Sequence, residues 1–255
     1  MMKQIQDFNV LKNRRLNADH YILELQSKHP IEDVCPGQFV QIEIPDSKTT
    51  FLRRPLSVHF YDKSKNMLSL YVRIVGEGTK YLGMVNENDT LNLVYPLGNK
   101  FTLVNKKKVL LVGGGSGIAP LLLLASELQK SGNEVVILLG ARTADGLLEI
   151  NTFEKYGKVV TTTNDGSAGV KGLVIDHPVM KDQNKFDFVY TCGPDVMMKA
   201  VGEWAKNLNI QCEVSLENTM ACGIGACLCC IQKTVRGNLC VCTDGPVFNF
   251  NDVVW

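Results

Sequence analysis

The sequence has no long apolar run. Its longest, Ile118 to Ala125, falls far short of the roughly 20 residues a membrane-spanning helix needs. It also has no excess of either charge: 27 basic residues face 26 acidic ones, so there is no electrostatic basis for binding nucleic acid or an anionic membrane. Histidine is scarce, with four in 255 residues and none after His177. His20, His29, His59 and His177 share no ligand spacing, and no Ser–His–Asp hydrolase pattern can be assembled around them. The opening MMKQIQDFNV lacks the apolar core of a secretory signal. The expectation is a cytoplasmic protein in a reducing compartment, where thiols serve metals rather than bridges.

Cysteine, by contrast, is plentiful: nine in all, most of them near the end. Within Met220-Ala-Cys-Gly-Ile-Gly-Ala-Cys-Leu-Cys-Cys230, residues Cys222, Cys227 and Cys230 are spaced C-x4-C-x2-C, and Cys242 follows as a fourth candidate. A [2Fe-2S] cluster takes four thiolates, three from one tight loop and one from a returning strand. Gly223 and Gly225 suit such a loop, since glycine tolerates positive φ. The return closes at Asp244-Gly245-Pro246, a turn signal. Cys240 competes with Cys242 for the fourth position, and Cys229 with Cys230 inside the loop. Zinc or disulfides are the alternatives, but zinc sites usually come as paired C-x2-C units or with histidine.

The first hundred residues read as strands. Tyr21–Leu25, Gln38–Ile44, Leu68–Ile74 and Thr90–Val94 alternate apolar and polar residues. Turn clusters at Cys35–Gly37, Pro45–Ser47, Asp62–Asn66 and Glu87–Asp89 separate them, which predicts a small antiparallel β-barrel. From Lys106 the pattern becomes strand–helix alternation. Apolar Val109–Val112 reads as a buried parallel strand, Pro120–Gln129 as a helix with Leu121–Leu124 as core, and Glu134–Leu139, Lys158–Thr163 and Phe186–Thr191 as further strands. Pro194–Asn207 reads as a helix with Val196, Met197, Ala200, Val201 and Trp204 on one face, and Gln211–Leu216 as the last strand. The fold class is thus an all-β barrel followed by a doubly wound parallel α/β domain and a small cysteine-rich lobe, with boundaries at 1–103, 104–214 and 215–255.

Two loops carry binding chemistry. Gly113, Gly114, Gly115, Ser116 and Gly117 join a strand end to a helix start, where backbone N–H groups favour phosphate. The alternative is a merely tight turn, since strict G-x-G-x-x-G is not met. Cys192 and Gly193 close a later strand at the same sheet edge, where open α/β sheets place ligands. In the barrel half, Arg54, Pro55, Leu56 and Ser57 offer an arginine fork suited to a diphosphate, or else an exposed arginine ahead of a strand. Gly76-Glu-Gly-Thr79 can form a second cradle, and Gly98-Asn-Lys-Phe101 lies at the domain junction.

In this order, these motifs resemble the ferredoxin reductase-like flavoproteins over nearly the whole chain. Ser215-Leu-Glu-Asn-Thr-Met-Ala-Cys-Gly-Ile-Gly-Ala-Cys and Val241-Cys-Thr-Asp-Gly-Pro-Val-Phe248 narrow the resemblance to the electron-transfer subunits of class 1B dihydroorotate dehydrogenases. The resemblance implies that Arg54, Gly78 and Thr79 hold FAD diphosphate and that Ser57 sits near the flavin ring. Tyr71, Val72 and Arg73 would line the flavin. Gly113 to Gly117 with Cys192 and Gly193 would receive NAD in preference to NADP, and Cys222, Cys227, Cys230 and Cys242 would ligate the cluster. It further implies a separate FMN-containing catalytic subunit, two of each in a heterotetramer, with electrons running from FMN through cluster and FAD to NAD+. No acid–base side chain is expected. The cluster loop and the apolar ending Val247-Phe248, Phe250 and Val253–Trp255 are expected to face the partner. A reductase subunit of a hydrogenase or a bifurcating ferredoxin–NADP oxidoreductase, and a non-catalytic metal-binding module, are the other readings.

Overall fold

The structure, a computed structural model, describes residues 3–45, 47, 49–181 and 186–255. The predicted turn at Pro45–Ser47 therefore lies partly outside the described residues. The chain begins with β1 (Gln4–Arg15), β2 (His20–Gln26), β3 (Phe39–Ile42), β4 (Arg54–Asp62) and β5 (Met67–Arg73), then a short helix α1 (Glu77–Leu82) and β6 (Thr90–Leu97). These six antiparallel strands close into a barrel in the order β1-β2-β5-β4-β3-β6. Strand alternation sends Leu23, Leu25, Val40, Ile42, Leu68 and Leu70 inward, and closure leaves no unpaired edge. Asn66 and Asn88 take left-handed backbone at two of the predicted turns.

Two barrel strands, β1 and β4, go beyond the sequence expectation, and each has a reason. In β1 only Phe8 and Val10 are buried, so its twelve residues carry little apolar alternation. β4 opens on Arg54-Pro55, and a proline lacks the N–H that a central strand uses.

The second half runs β7 (Lys108–Gly114), α2 (Leu121–Lys130), β8 (Glu134–Ala141), α3 (Ile150–Phe153), β9 (Lys158–Thr163), β10 (Val170–Lys171), α4 (Pro178–Lys181), β11 (Phe188–Cys192), α5 (Asp195–Asn207) and β12 (Gln211–Ser215). The last segment adds a hairpin, β13 (Ile231–Thr234) and β14 (Gly237–Cys240), and then β15 (Val247–Asn249). The large sheet has the order β10-β9-β8-β7-β11-β12-β15. All its pairings are parallel except that of β15, which the cysteine-rich segment contributes antiparallel to β12. The strand order reverses between β7 and β11, and their carboxyl ends flank a crevice.

Helix α2 is apolar through its first five residues because they are buried on both sides, while Gln129 and Lys130 at its end are exposed. Leu121, Leu122 and Leu124 join the core of the sheet, while Leu123 joins the core of the barrel. In α5 the buried face is Met198, Val201, Gly202 and Ala205, whereas Val196 is exposed. The expected face was rotated from this one because the helix packs through bare Gly202, which leaves room only for the ring of Phe250.

That ring belongs to the C-terminal tail, and it corrects an expectation. Val247, Phe248, Phe250 and Val253 are buried within the chain itself, and Trp255 packs on Phe250 with ring centroids 5.5 Å apart. Apolar side chains so placed complete the core rather than offer a surface to a partner, and of the apolar ending only Val254 is exposed.

The barrel and sheet meet at His59, fully buried on β4, whose Nδ1 lies 2.9 Å from the Ala119 carbonyl. Burial holds this imidazole down to about 4, so Nδ1–H donates and the ring is neutral at pH 7. The unfolded chain takes up a proton below its ordinary 6.5, whereas the fold resists until about 4. Stability contributed by neutral His59 is therefore complete above pH 6.5 and lost as pH falls towards 4, on the order of 3 kcal/mol in all. His59→Asn keeps a donor for Ala119 but does not titrate. Denaturant midpoints between pH 7 and 4.5 should fall less steeply in the variant, and parallel slopes would refute this account.

Candidate functional site

A cleft of about 350 Å³ opens between barrel and sheet. On its barrel side stand Phe39 of β3, Arg54, Pro55, Leu56 and Ser57 of β4, and Tyr71 and Arg73 of β5. Val72, between the last two, points into the barrel core, as strand alternation requires. Arg54 lies over Gly78: a Cβ there would come within 2.8 Å of its Nε, so only glycine lets the guanidinium rest against the start of α1. Thr79 organises that turn, accepting from the Val75 and Gly76 amides at 2.9 and 3.2 Å, and it borders the cleft.

The sheet side supplies Ser116 and Ala119. Gly113 and Gly114 end β7, and Gly115 has φ +57° with open space where a side chain would be. Gly117 sits so tightly on the Cys192 carbonyl and the Gly193 amide that a Cβ has no room. The two loops on either side of the crevice are thus in direct contact. Gly114 is similarly confined, with Met197 Sδ 2.6 Å from where its Cβ would stand. The Cys192 thiol is pushed well up by burial and stays protonated, unlike a metal ligand.

The third wall comes from a segment not expected to line the site. Leu216, Glu217, Asn218, Thr219 and Met220 run along the cleft straight out of β12, joined by Pro246. Their signals in the sequence were their position just ahead of Cys222 and their place in the Ser215–Cys227 motif that carries the resemblance. Glu217 is pushed up by enclosure in the cleft and then by Asp195.

The cysteine loop follows. Gly223 and Gly225 have φ of +69° and +87°, as the loop was expected to need. Leu228 also takes left-handed backbone, at φ +57°, a costly state for a bulky side chain, in the turn between Cys227 and Cys230. Cys222 Sγ accepts the amides of Ile224, Ala226 and Cys227 at 3.5, 3.3 and 3.4 Å. These bonds, Ile224's foremost, bring its thiol down to about 6. Cys230 and Cys242 are buried together, the Cys242 amide donating to Cys230 Sγ at 3.4 Å. Burial, then Cys230, pushes the Cys242 thiol up to about 12. Cys229 is exposed, and Cys240 is half-buried with its amide on Asp244 Oδ2 at 2.9 Å. Among the described residues, no three Cys, His, Asp or Glu side chains converge as they would around a single ion. The donor set, with amides aimed at sulfur on two glycine turns, fits an iron–sulfur cluster.

Family models match the three parts in turn: an oxidoreductase FAD-binding domain over residues 7–101, an oxidoreductase NAD-binding domain over 111–203, and the iron–sulfur cluster binding domain of dihydroorotate dehydrogenase B over 217–254. The electron transfer subunit of dihydroorotate dehydrogenase B (NAD+) from Fusobacterium nucleatum is 37% identical across 98% of both chains. That from Caldanaerobacter subterraneus subsp. tengcongensis is 42% identical across 96% of this chain and 97% of its own. The chain belongs to this family of electron transfer subunits. It is an oxidoreductase subunit whose cofactors are FAD, NAD and an iron–sulfur cluster. A chain from the structure of an NADH-dependent reduced ferredoxin-NADP oxidoreductase is also similar, with a TM-score of 0.88 and 34% identity over 97% of this chain and 90% of that one. A ferredoxin reductase of carbazole 1,9a-dioxygenase, at 20% identity and a TM-score of 0.71, shares the fold. Among the described residues no helix is long and apolar enough to cross a membrane.

Two predictions follow from the geometry. Arg54→Ala should weaken FAD retention through gel filtration by roughly 10- to 100-fold in affinity, the loss of a charge-assisted contact of about 1.5–3 kcal/mol, while the cluster spectrum survives. Full flavin in the variant would make Arg54 an ordinary surface arginine. Cys242→Ser should lose or distort the low-temperature EPR signal of the reduced cluster, and Cys240→Ser should keep it. The opposite pair of results would move the fourth ligand by two residues.

Proposed function

We propose that the chain carries electrons from an FMN-containing dihydroorotate dehydrogenase subunit to NAD+, in an assembly of two copies of each. The observation that carries this reading is the continuity of the third cleft wall with the cysteine loop. Leu216–Met220 borders the cleft, and Cys222 follows two residues later. Whatever binds in the cleft lies next to whatever the thiols hold.

In this reading Arg54 binds the FAD diphosphate over the bare Gly78, with Thr79 holding the turn. Ser57 and Tyr71 border the ring, and Phe39, Met220 and Pro246 exclude water from it. Gly113–Gly117 and Cys192–Gly193 receive NAD from the sheet edge. Cys222, Cys227, Cys230 and Cys242 hold a [2Fe-2S] cluster. A flavin so held exchanges hydride with nicotinamide and single electrons with the cluster, joining two-electron to one-electron chemistry. The protein's own part is placement. His59 and Cys192 are locked neutral by burial.

The partner surface in this reading is the cluster lobe. Ile224, Leu228, Ile231 and Val235 are exposed around the cysteines, apolar side chains beside a redox centre that an assembled complex would cover. The similarity to the ferredoxin-NADP oxidoreductase chain supports a second reading, in which the same module serves that kind of complex. Reconstitution separates them. Alone, the chain should reduce dyes with NADH and leave dihydroorotate untouched. With the FMN subunit it should restore NAD+-linked orotate formation, and Leu228→Glu should weaken that assembly at least tenfold without slowing dye reduction. Oxidation of dihydroorotate by this chain alone would sink the proposal.

A further inference from the structure

Among the described residues, Gln41 stands out with two buried side-chain polar atoms that lack a partner. It is 1% exposed on β3, and neither its Oε1 nor its Nε2 has a hydrogen-bond partner. A buried carboxamide unsatisfied at both ends is costly, and buried polar groups are nearly always paired. Its neighbours on the strand, Val40 and Ile42, point into the barrel core, so alternation directs Gln41 outward with Phe39. Phe39 lines the cleft, as does Pro55, which pairs with Gln41 across β4.

What Gln41 meets outside the barrel is the cysteine loop. A Cβ on Gly223 would lie 2.6 Å from both Cγ and Nε2 of Gln41 and 3.0 Å from its Cδ. Gly223 is thus required twice, by its φ of +69° and by the carboxamide resting on it. It follows directly on Cys222, whose sulfur gathers three backbone amides. The side-chain amide of Gln41 is a further donor that the barrel brings to this place, and it is unspent.

We propose that Gln41 is a positioning residue for the cluster. Its carboxamide donates N–H to sulfur of the cluster held by the Cys222 loop, and so links that loop to the flavin-side wall and tunes the electron transfer between them. The proposal rests on the reading that Cys222 to Cys242 hold a [2Fe-2S] cluster. Donors to sulfur stabilise the more negative, reduced state and raise the reduction potential.

The test uses holo-protein, with its partner subunit where the two co-purify. Gln41→Met keeps the length of the side chain and removes the donor. The variant should retain iron and FAD while its cluster shows a lower midpoint potential and shifted g-values, with the FAD potential unchanged. In wild-type protein carrying side-chain 15N-labelled glutamine, the reduced cluster should show a 15N hyperfine coupling. This measurement needs no variant to assemble. Full iron with wild-type potential and g-values in Gln41→Met, or no side-chain 15N coupling in wild type, overturns the role of Gln41 and leaves the cluster reading intact. Wild-type protein that binds no iron overturns both.

Discussion

One residue, Asn99, ties the barrel to the cysteine lobe. Asn99, at the exit of the barrel, donates from Nδ2 to the carbonyls of Asp244 and Val247 at 2.7 and 2.8 Å and accepts the Val247 amide at 3.0 Å. Its own amide donates to the Gly245 carbonyl at 2.6 Å. Four bonds thus join the last barrel strand to the return of the cysteine lobe, about 145 residues on. Gly98 beside it must be glycine, because its φ is +75° and a Cβ would come within 2.6 Å of Pro246 Cδ. Electron transfer depends on distance, so a clasp between the flavin-side wall and the cluster lobe is what the remaining geometry relies on. β15, pairing with β12 three residues beyond, locks the same lobe onto the sheet.

Much of this was legible in the sequence because period and punctuation are local. The apolar run Val109–Val112, the glycines after it and the cysteine spacing each follow from a few adjacent residues. What was not legible depends on partners far along the chain. The alternation in β1 is faint since only Phe8 and Val10 of its twelve residues are buried, the rest of the strand being held by its pairing with β2 and β6. The face of α5 is set by Phe250, which no window around residue 200 contains. Gln41 reads as one more polar residue of an alternating strand, and only the fold brings Gly223 against it.

The same long-range logic reassigns the tail. An apolar ending next to a redox loop resembles an interface when viewed as sequence, because nothing nearby accounts for it. Gly202 accounts for it, since its missing side chain is the space the Phe250 ring fills. Once the tail is spent on the core, the exposed large apolar residues of the lobe, Val254 apart, are those of the cysteine loop and hairpin, Ile224, Leu228, Ile231 and Val235. They sit on the segments that carry the thiols, so any partner covering them is brought against the cluster itself. Leu228 shows the constraint at its sharpest. It takes a backbone conformation that a leucine disfavours, between two predicted ligands, and its side chain is left in solvent. Packing within the chain gains nothing from that arrangement, whereas a contact made outside the chain would.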